Sequence, residues 1–531
     1  MCGIYANINS KEPVEDTEDA LRRLQHRGFE AAGINLHDEN GELKGCVRGP
    51  GMVKEVLTPE ATRRLRTLPN IVSSVGHVRY TTVGTSIDAQ PLHDKRPYGI
   101  SMAHNGHVTN YLPQVQESRQ KRHGKISDCD VEKIIDPFSE SLRKQSRKQV
   151  LRRRLSETEF KELDEETLDR IVEEEEYYAP ITKEAIYAAV REVHKKVKGA
   201  YSVVAAIGGE AIVAFKDLHG VRPLCWGTKI YTDGARAHAF SSEDVAFFPP
   251  MGYELQRELY PSEVVIIWKN GKVDREILAY SSDEEALENE RFCFFEIDYF
   301  MFYGSSWRGK TIGRVRREFG RNGAHAYMRK ISEKGRVLDK DRTIVLPVLD
   351  SGRNDAEGFA DELGLDRFDG IAKNRYELSR AFMGLTPDER DSKSRRKHIV
   401  IPQEVKGKVV VVRDDSIVRA NTARIIIRYL RDAGAIEVHW GTSCPRIEYS
   451  CHGGIDTPTS TELIAHDRTD DDIADYIGAD LMVYPELASF MNIFGLPANR
   501  FSFCCLDGNY SMDLGDIVSF AKKRVNDRGG S

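Results

Sequence analysis

Residues 409–424 read VVVVRDDSIVRANTAR, and this stretch decides the fold of the second half of the chain. Four consecutive valines predict a strand buried on both faces, as in a parallel sheet. The strand delivers two acids, Asp414 and Asp415, then a short polar loop, then a helix over about 422–433. Ser416, Asn421, Thr422 and the loop's backbone N–H groups face the helix start, an arrangement that cradles a phosphate. Paired acids at a strand's carboxyl end suit ribose hydroxyls or a magnesium ion. An acidic N-cap on an ordinary strand-loop-helix is the plainer reading, and the coincidence of acids, hydroxyls and loop weighs against it.

Outward from this stretch the pattern repeats. RTIVLPVLDSG (342–352) is a second buried strand, followed by a helix over about 355–363, and AIEVHWGTS (435–443) is a third strand. Strand-helix alternation predicts a doubly wound parallel sheet. The first half reads differently. Residues 3–8 are a short strand, and Asp16 and Thr17 open an amphipathic helix that closes near Gly28. Residues 29–115 and 200–270 hold short β-type runs broken by Gly, Asn and Pro, and Asn270-Gly271 is a hairpin turn. These predict stacked antiparallel sheets. Residues 137–176 mix charges of both signs at helical spacing and read as one or two exposed helices inserted in the first half. SSDEEALENE (281–290) reads as a linker. The expected organisation is therefore a first domain over 2–280, a second over 281–515 and a tail over 516–531.

The 531 residues suit two domains rather than one core. Hydrophobic residues at 40%, charged residues at 30% and a net charge of -6 offer no basic field for nucleic acid. No apolar run is long enough for a membrane span, and the N-terminus lacks a signal-peptide pattern, so a cytoplasmic location is expected. Nine scattered cysteines do not form a disulfide framework. Cys46, Cys129, Cys225, Cys444 and Cys504 are read as small buried hydrophobes.

Cys2 is different, because removal of Met1 would give it a free α-amine. With a reference pKa of about 8, that amine can take the thiol's proton. An amide hydrolase built on it needs an oxyanion hole and a clamp for a charged substrate end. AHNGHVTN (103–110) offers the Asn105 amide and the Gly106 backbone as donors. GHVRYTTVG (76–84) offers Arg79 as a carboxylate fork, and Asp128 can receive an ammonium group. A turn at Asn105-Gly106 and surface charge at Arg79 and Asp128 are the alternatives when each is taken alone.

Taken in order, MCGI, LQHRGFEAAGI (24–34), GHVRYTTVG, AHNGHVTNY and the Ser127-Asp128 pair resemble the signature series of class II glutamine amidotransferases. That resemblance implies an Ntn-hydrolase αββα sandwich, with Cys2 as nucleophile and Asn105 and Gly106 as the oxyanion hole. It also implies glutamine held by Arg79 and Asp128, and Arg27 on a loop that closes over it. Phe29 departs from a commonly polar position. The 409–424 segment resembles the diphosphoribosyl motif of type I phosphoribosyltransferases, with Asp414, Asp415, Ser416, Arg419, Asn421 and Thr422 at its positions. VLPVLDSGRNDAEGFADELGL (345–365) resembles that family's pyrophosphate-side loop, with Asp350, Ser351 and Gly352. KNRYELSRAFM (373–383) resembles its flexible loop, with Lys373, Arg375 and Arg380 as phosphate contacts.

A glutaminase joined to such a transferase resembles the amidophosphoribosyltransferase family. The resemblance implies glutamine and 5-phosphoribosyl diphosphate as substrates, magnesium at Asp414 and Asp415, purine nucleotides as feedback inhibitors, and a homo-oligomer, dimer or tetramer. Departures are MFYGS (301–305), an extra residue between Tyr376 and Arg380, Arg413 before the acid pair, and Ala420 at a common glycine. Some members of the family bind an iron–sulfur cubane through four cysteines. Cys293, Cys451 and Cys505 match three of those positions and Ser502 breaks the fourth, so no intact cluster is expected. Two other readings stay open: a paralogue serving another pathway, and a non-catalytic regulatory relative.

Overall fold

The computed structural model describes residues 1–81, 87–95, 98–110, 129–156, 159, 163–164, 167, 179–373, 398–454 and 459–515. Two antiparallel sheets face each other in the first half. One has seven strands in the order β11 (Glu254–Glu258), β9 (Cys225–Ile230), β10 (Arg236–Ser241), β1 (Gly3–Ile8), β4 (Ile71–Arg79), β2 (Ala31–Asp38) and β3 (Leu43–Pro50). The other has six, in the order β13 (Val273–Ile277), β12 (Glu263–Trp268), β8 (Ala211–Lys216), β7 (Gly199–Ile207), β6 (Ile100–Val108) and β5 (Leu92–Asp94). Alternate residues of β1 (Ile4, Ala6, Ile8) pack against Ala103, Val204, Ala206 and Ile212 of the second sheet. Period-two alternation of small and branched side chains is what lets two sheets interleave.

Helices cover both outer faces and complete the αββα sandwich. Helix Pro13–Arg23 packs Val14, Leu21 and neighbours on the first sheet. It begins at Pro13 rather than at Asp16, because proline's fixed φ suits a first helical position. Asp16 is buried and accepts from Ser10 Oγ and the Tyr253 hydroxyl. Helices Glu132–Arg154 and Lys183–Lys196 cover the second sheet. The expectation of an exposed helix over 137–176 is corrected for its described part: Phe138 and Leu142 are fully buried, and Val150 and Leu151 are buried too. The apolar face was there to be read, but the run of arginines and lysines after it dominated the composition. The 281–290 segment, expected as a linker, holds a short helix, Asp283–Glu288, capped by Ser282.

The second half is a five-stranded parallel sheet, in the order Asp366–Arg367, Thr343–Pro347, Val409–Asp414, Glu437–Thr442, Leu481–Val483. Helices Ile312–Glu333 and Arg353–Leu363 lie on one face, and Asn421–Asp432 and Asp470–Ile477 on the other. Val410, Val411 and Val412 of the central strand are at most 1% exposed. Fully burying each such side chain contributes about 1.5–3 kcal/mol. Arg413, next in line, is also buried, and its guanidinium pairs with Asp355 at 2.7 Å, donates to the Thr442 carbonyl at 3.0 Å and lies over the Phe359 ring. Room for it comes from Gly323 and Gly441, where a β-carbon would sit 2.4 and 2.1 Å from the guanidinium nitrogens.

No described helix is long and apolar enough to cross a membrane.

Candidate functional site

Cys2 stands at the head of β1, and β4 ends beside it, since Gly3 pairs with Val78. The Cys2 thiol lies 3.5 Å from both the carbonyl and the N–H of Tyr80. Burial pushes the thiol's pKa up, while the N-terminal amine, Arg79 and the Tyr80 N–H draw it down. Met1 is in place, buried within an apolar cluster that also contains Ala200, Cys293 and Cys451. Its amine is fully buried, which lowers its pKa to about 4.

The end of β6 converges on the same place. Asp130, whose charge acts on the Cys2 thiol, accepts from the N–H of Val108, the last residue of β6. Gly106 has φ +151 and a β-carbon there would lie 1.9 Å from the Ala200 carbonyl, so only glycine fits. Asn105 is fully buried, and neither its Nδ2 nor its Oδ1 has a hydrogen-bond partner among the described residues. Buried polar groups are nearly always paired. The Asn105 side chain, by contrast, has its amide hydrogens and its oxygen unused among the described residues. Asp130 anchors this strand end, accepting from the Val108 N–H at 3.1 Å and lying 3.3 Å from His104. Burial opposes its charge, but His104, His107 and the Val108 N–H outweigh that and hold it well below the usual carboxylate range.

Arg79, at the end of β4, is buried and donates to the Cys129 sulfur at 2.8 Å and the Thr81 hydroxyl at 3.3 Å. Cys129, read from the sequence as a small buried hydrophobe, is fully buried in the core of the second sheet and also receives this hydrogen bond, its thiol pushed up to about 12 by burial. Gln90 donates to the same sulfur at 3.3 Å. Asp128, expected beside it, lies outside the described residues. Arg27 is placed, but it does not reach into open space. Its Nε donates to the Cys2 carbonyl at 2.8 Å, Nη1 pairs with Glu243, and Nη2 meets both oxygens of Glu296 at 2.9 Å. Arg222 meets Glu296 at 3.2 Å and donates through Nε to the Gly453 carbonyl at 3.0 Å. Glu243 also accepts from the Phe302 N–H and the Ser305 hydroxyl, at 2.8 and 2.7 Å. A buried ion network thus ties the cysteine to the second half. The signal for Glu296 was present in CFFEIDYF: an acid inside an apolar run must be paired.

The second cluster lies at the carboxyl end of strand Val409–Asp414. The Asp415 N–H donates to Asp414 Oδ1 at 3.0 Å, Ser351 Oγ lies 3.5 Å from the same oxygen, and Ser416 Oγ donates to Asp415 Oδ2 at 2.8 Å. Burial, then the charge of Asp415, raises the Asp414 carboxyl well above its usual range. Asn421 and Thr422 occupy the first turn of helix Asn421–Asp432. Ala420, just before it, is held in the left-handed region at φ +62, the reason glycine is common there. Arg419 is paired with Glu462 at 2.6 Å. Gly352 heads helix Arg353–Leu363, and Asp350 is largely exposed, 3.9 Å from Arg353. Lys373 ends the short strand Ile371–Lys373, whereas Arg375 and Arg380 lie outside the described residues.

The chemistry of Asp414 and Asp415 fits magnesium, which favours oxygen ligands and is held by one or two carboxylates together with substrate phosphates. The thiols fit an iron–sulfur cluster less well. Cys293 pairs with Ser502 across two short parallel strands, and the Ser502 hydroxyl is buried without a partner. Cys451, Cys504 and Cys505 are all buried. Among the described residues no three His, Cys, Asp or Glu side chains converge on a point that could hold a metal ion. Cys46, expected to be buried, is exposed on β3.

An N-terminal cysteine on an αββα sandwich, joined to a parallel sheet with an acid pair and a phosphate-type loop, defines the class: a glutamine amidotransferase fused to a phosphoribosyltransferase. No family model matches the chain. It is 32% identical to the amidophosphoribosyltransferase of Pseudomonas aeruginosa over 99% of this chain and 95% of that one. It is 34% identical to that of Pyrococcus horikoshii over 96% of each. A solved glutamine phosphoribosylpyrophosphate amidotransferase from B. subtilis, complexed with ADP and GMP, superposes with a TM-score of 0.74 at 27% identity, covering 97% of this chain and 98% of that one. The chain belongs to the amidophosphoribosyltransferase family.

Proposed function

We propose that the chain hydrolyses glutamine at Cys2 and passes the ammonia to 5-phosphoribosyl diphosphate held at the Asp414–Asp415 loop. The products are 5-phosphoribosylamine, diphosphate and glutamate, the first step of de novo purine (IMP) biosynthesis. The observation that supports the reading is the unpartnered Asn105 amide beside the Gly106 backbone, on the strand whose end is bonded to Asp130, a charge that acts on the Cys2 thiol. With Met1 removed, the Cys2 amine takes the thiol's proton and the thiolate attacks the glutamine amide. Asn105 Nδ2 and the Gly106 N–H stabilise the oxyanion, worth about 2.7–4 kcal/mol per donor. Arg79 and Asp128 hold the amino-acid end of glutamine. Arg27, fixed by Glu243 and Glu296, positions the Cys2 backbone.

At the second site, Ser416, Asn421, Thr422 and the helix start bind the 5-phosphate, and Asp350, Ser351 and Gly352 the diphosphate side. Lys373, Arg375 and Arg380 close over it. Asp414 and Asp415 orient the ribose and would hold magnesium, which supplies positive charge to the departing diphosphate. Arg419 belongs to this set through its place in the loop. The domains divide at about residue 280, with 516–531 as a tail. Purine nucleotides act as feedback ligands of a dimer or tetramer, the bound ADP and GMP of the B. subtilis relative supporting the first of these.

The test is to measure glutamate release with and without 5-phosphoribosyl diphosphate and magnesium while trapping the amine. Stimulated glutamate with matching trapped amine is expected, and Cys2→Ala should keep only ammonia-dependent synthesis. Loss of both activities in Cys2→Ala refutes the two-site reading.

A further inference from the structure

The wide helical turn Glu296–Phe300 touches both sites. Its first residue, Glu296, grips Arg27, which holds the Cys2 carbonyl. Its third, Asp298, faces the other way. Asp298 Oδ1 accepts from Ser443 Oγ at 2.7 Å, and that hydroxyl also reaches the Asp415 carbonyl at 3.1 Å. Asp298 is 0% exposed, and its Oδ2 has no hydrogen-bond partner among the described residues. The neighbouring cation is engaged elsewhere. Arg316, the cation that acts on Asp298, donates to the carbonyls of Ile297 and Met301, at 2.9 and 2.8 Å. An acid in this apolar turn could be replaced by any residue of its size if packing were its task, yet it leaves one buried oxygen open between the two reaction centres.

We propose that Asp298 Oδ2 is a hydrogen-bonding station for ammonia on its way from Cys2 to the Asp414–Asp415 loop. Ammonia carries three N–H donors and one lone pair, so it bonds to a carboxylate oxygen or to a carboxylic acid proton alike. Water has the same hydrogen-bonding capacity, so the experiment must follow nitrogen. The inference rests on the two-site function proposed above; failure of the unmutated chain to couple glutamate release to trapped amine would sink that function and not this residue's role.

The full chain is assayed with glutamine, 5-phosphoribosyl diphosphate and magnesium, reading glutamate, trapped amine and free ammonia together. In Asp298→Leu, and in Asp298→Ala as a variant that adds no bulk, the ratio of trapped amine to glutamate should fall at least threefold while free ammonia rises. Asp298→Asn, which keeps an acceptor and donors, should restore most of the ratio. Synthesis from external ammonia should fall by a smaller factor than synthesis from glutamine. An unchanged ratio in both variants overturns the proposal. Equal losses from glutamine and from external ammonia also overturn it, because Asp298 then acts only by positioning Asp415 through Ser443.

Discussion

Replacing Asn105 by leucine separates stability from catalysis in a single substitution. Both polar atoms of the Asn105 side chain are buried without partners. Leaving a buried polar group unsatisfied costs about 1–3 kcal/mol. Leucine keeps the branched shape and has no polar atom, so Asn105→Leu relieves that cost, and even with the overpacking of its two larger methyl groups the urea midpoint of the glutamine-free protein should not fall, at unchanged slope. The same change removes one oxyanion donor, and glutaminase kcat should fall about 10²–10³-fold. Ammonia-dependent synthesis, which bypasses the step, should stay within about twofold. The paired outcome is diagnostic: a residue that merely packs would lose stability on replacement and leave kcat nearly intact. A destabilised variant retaining more than a tenth of wild-type glutaminase would falsify the assignment.

Three further outcomes follow from particular contacts. Ala420→Gly relieves the left-handed backbone at φ +62 and should raise stability by about 1 kcal/mol, checked by thermal unfolding with and without 5-phosphoribosyl diphosphate. Arg413→Leu strands the buried Asp355 carboxylate and should cost about 3–5 kcal/mol, whereas the double change with Asp355→Leu should recover most of it. Glu258 sits against Glu290 and Arg308, and burial raises its carboxyl to about 7. A raised acid keeps its proton in the folded state while the unfolded state loses it, so stability should fall as pH rises from about 4.5 to 7. In Glu258→Gln that decline should be shallower, and identical urea midpoints for both proteins across this window would contradict the assignment.

Much of the site was legible because its signals are local. A buried strand, two acids, a polar loop and a helix start are consecutive in 409–424, and the structure places Asp414, Asp415 and Ser416 in mutual contact as that spacing requires. The sandwich was legible for a similar reason, since period-two alternation fixes which face of each strand is buried. Helix ends shifted by a few residues, at Pro13 and Arg353, where proline and loop geometry set the first turn. The helix Glu132–Arg154 was misjudged because charge composition describes its outer half only.

By itself, then, the sequence determined the two architectures, the order of the motifs and the residue types at each candidate site. Only the tertiary structure decided which charges are available. Arg27 is spoken for by Glu296, 269 positions away, Arg79 rests on Cys129, and Arg413 is matched by Asp355. Conversely, Asn105 and Asp298 are left with unanswered atoms. The physical reason is that backbone pattern is set by neighbours along the chain, while the worth of a buried polar group depends on partners that only folding brings within hydrogen-bond distance.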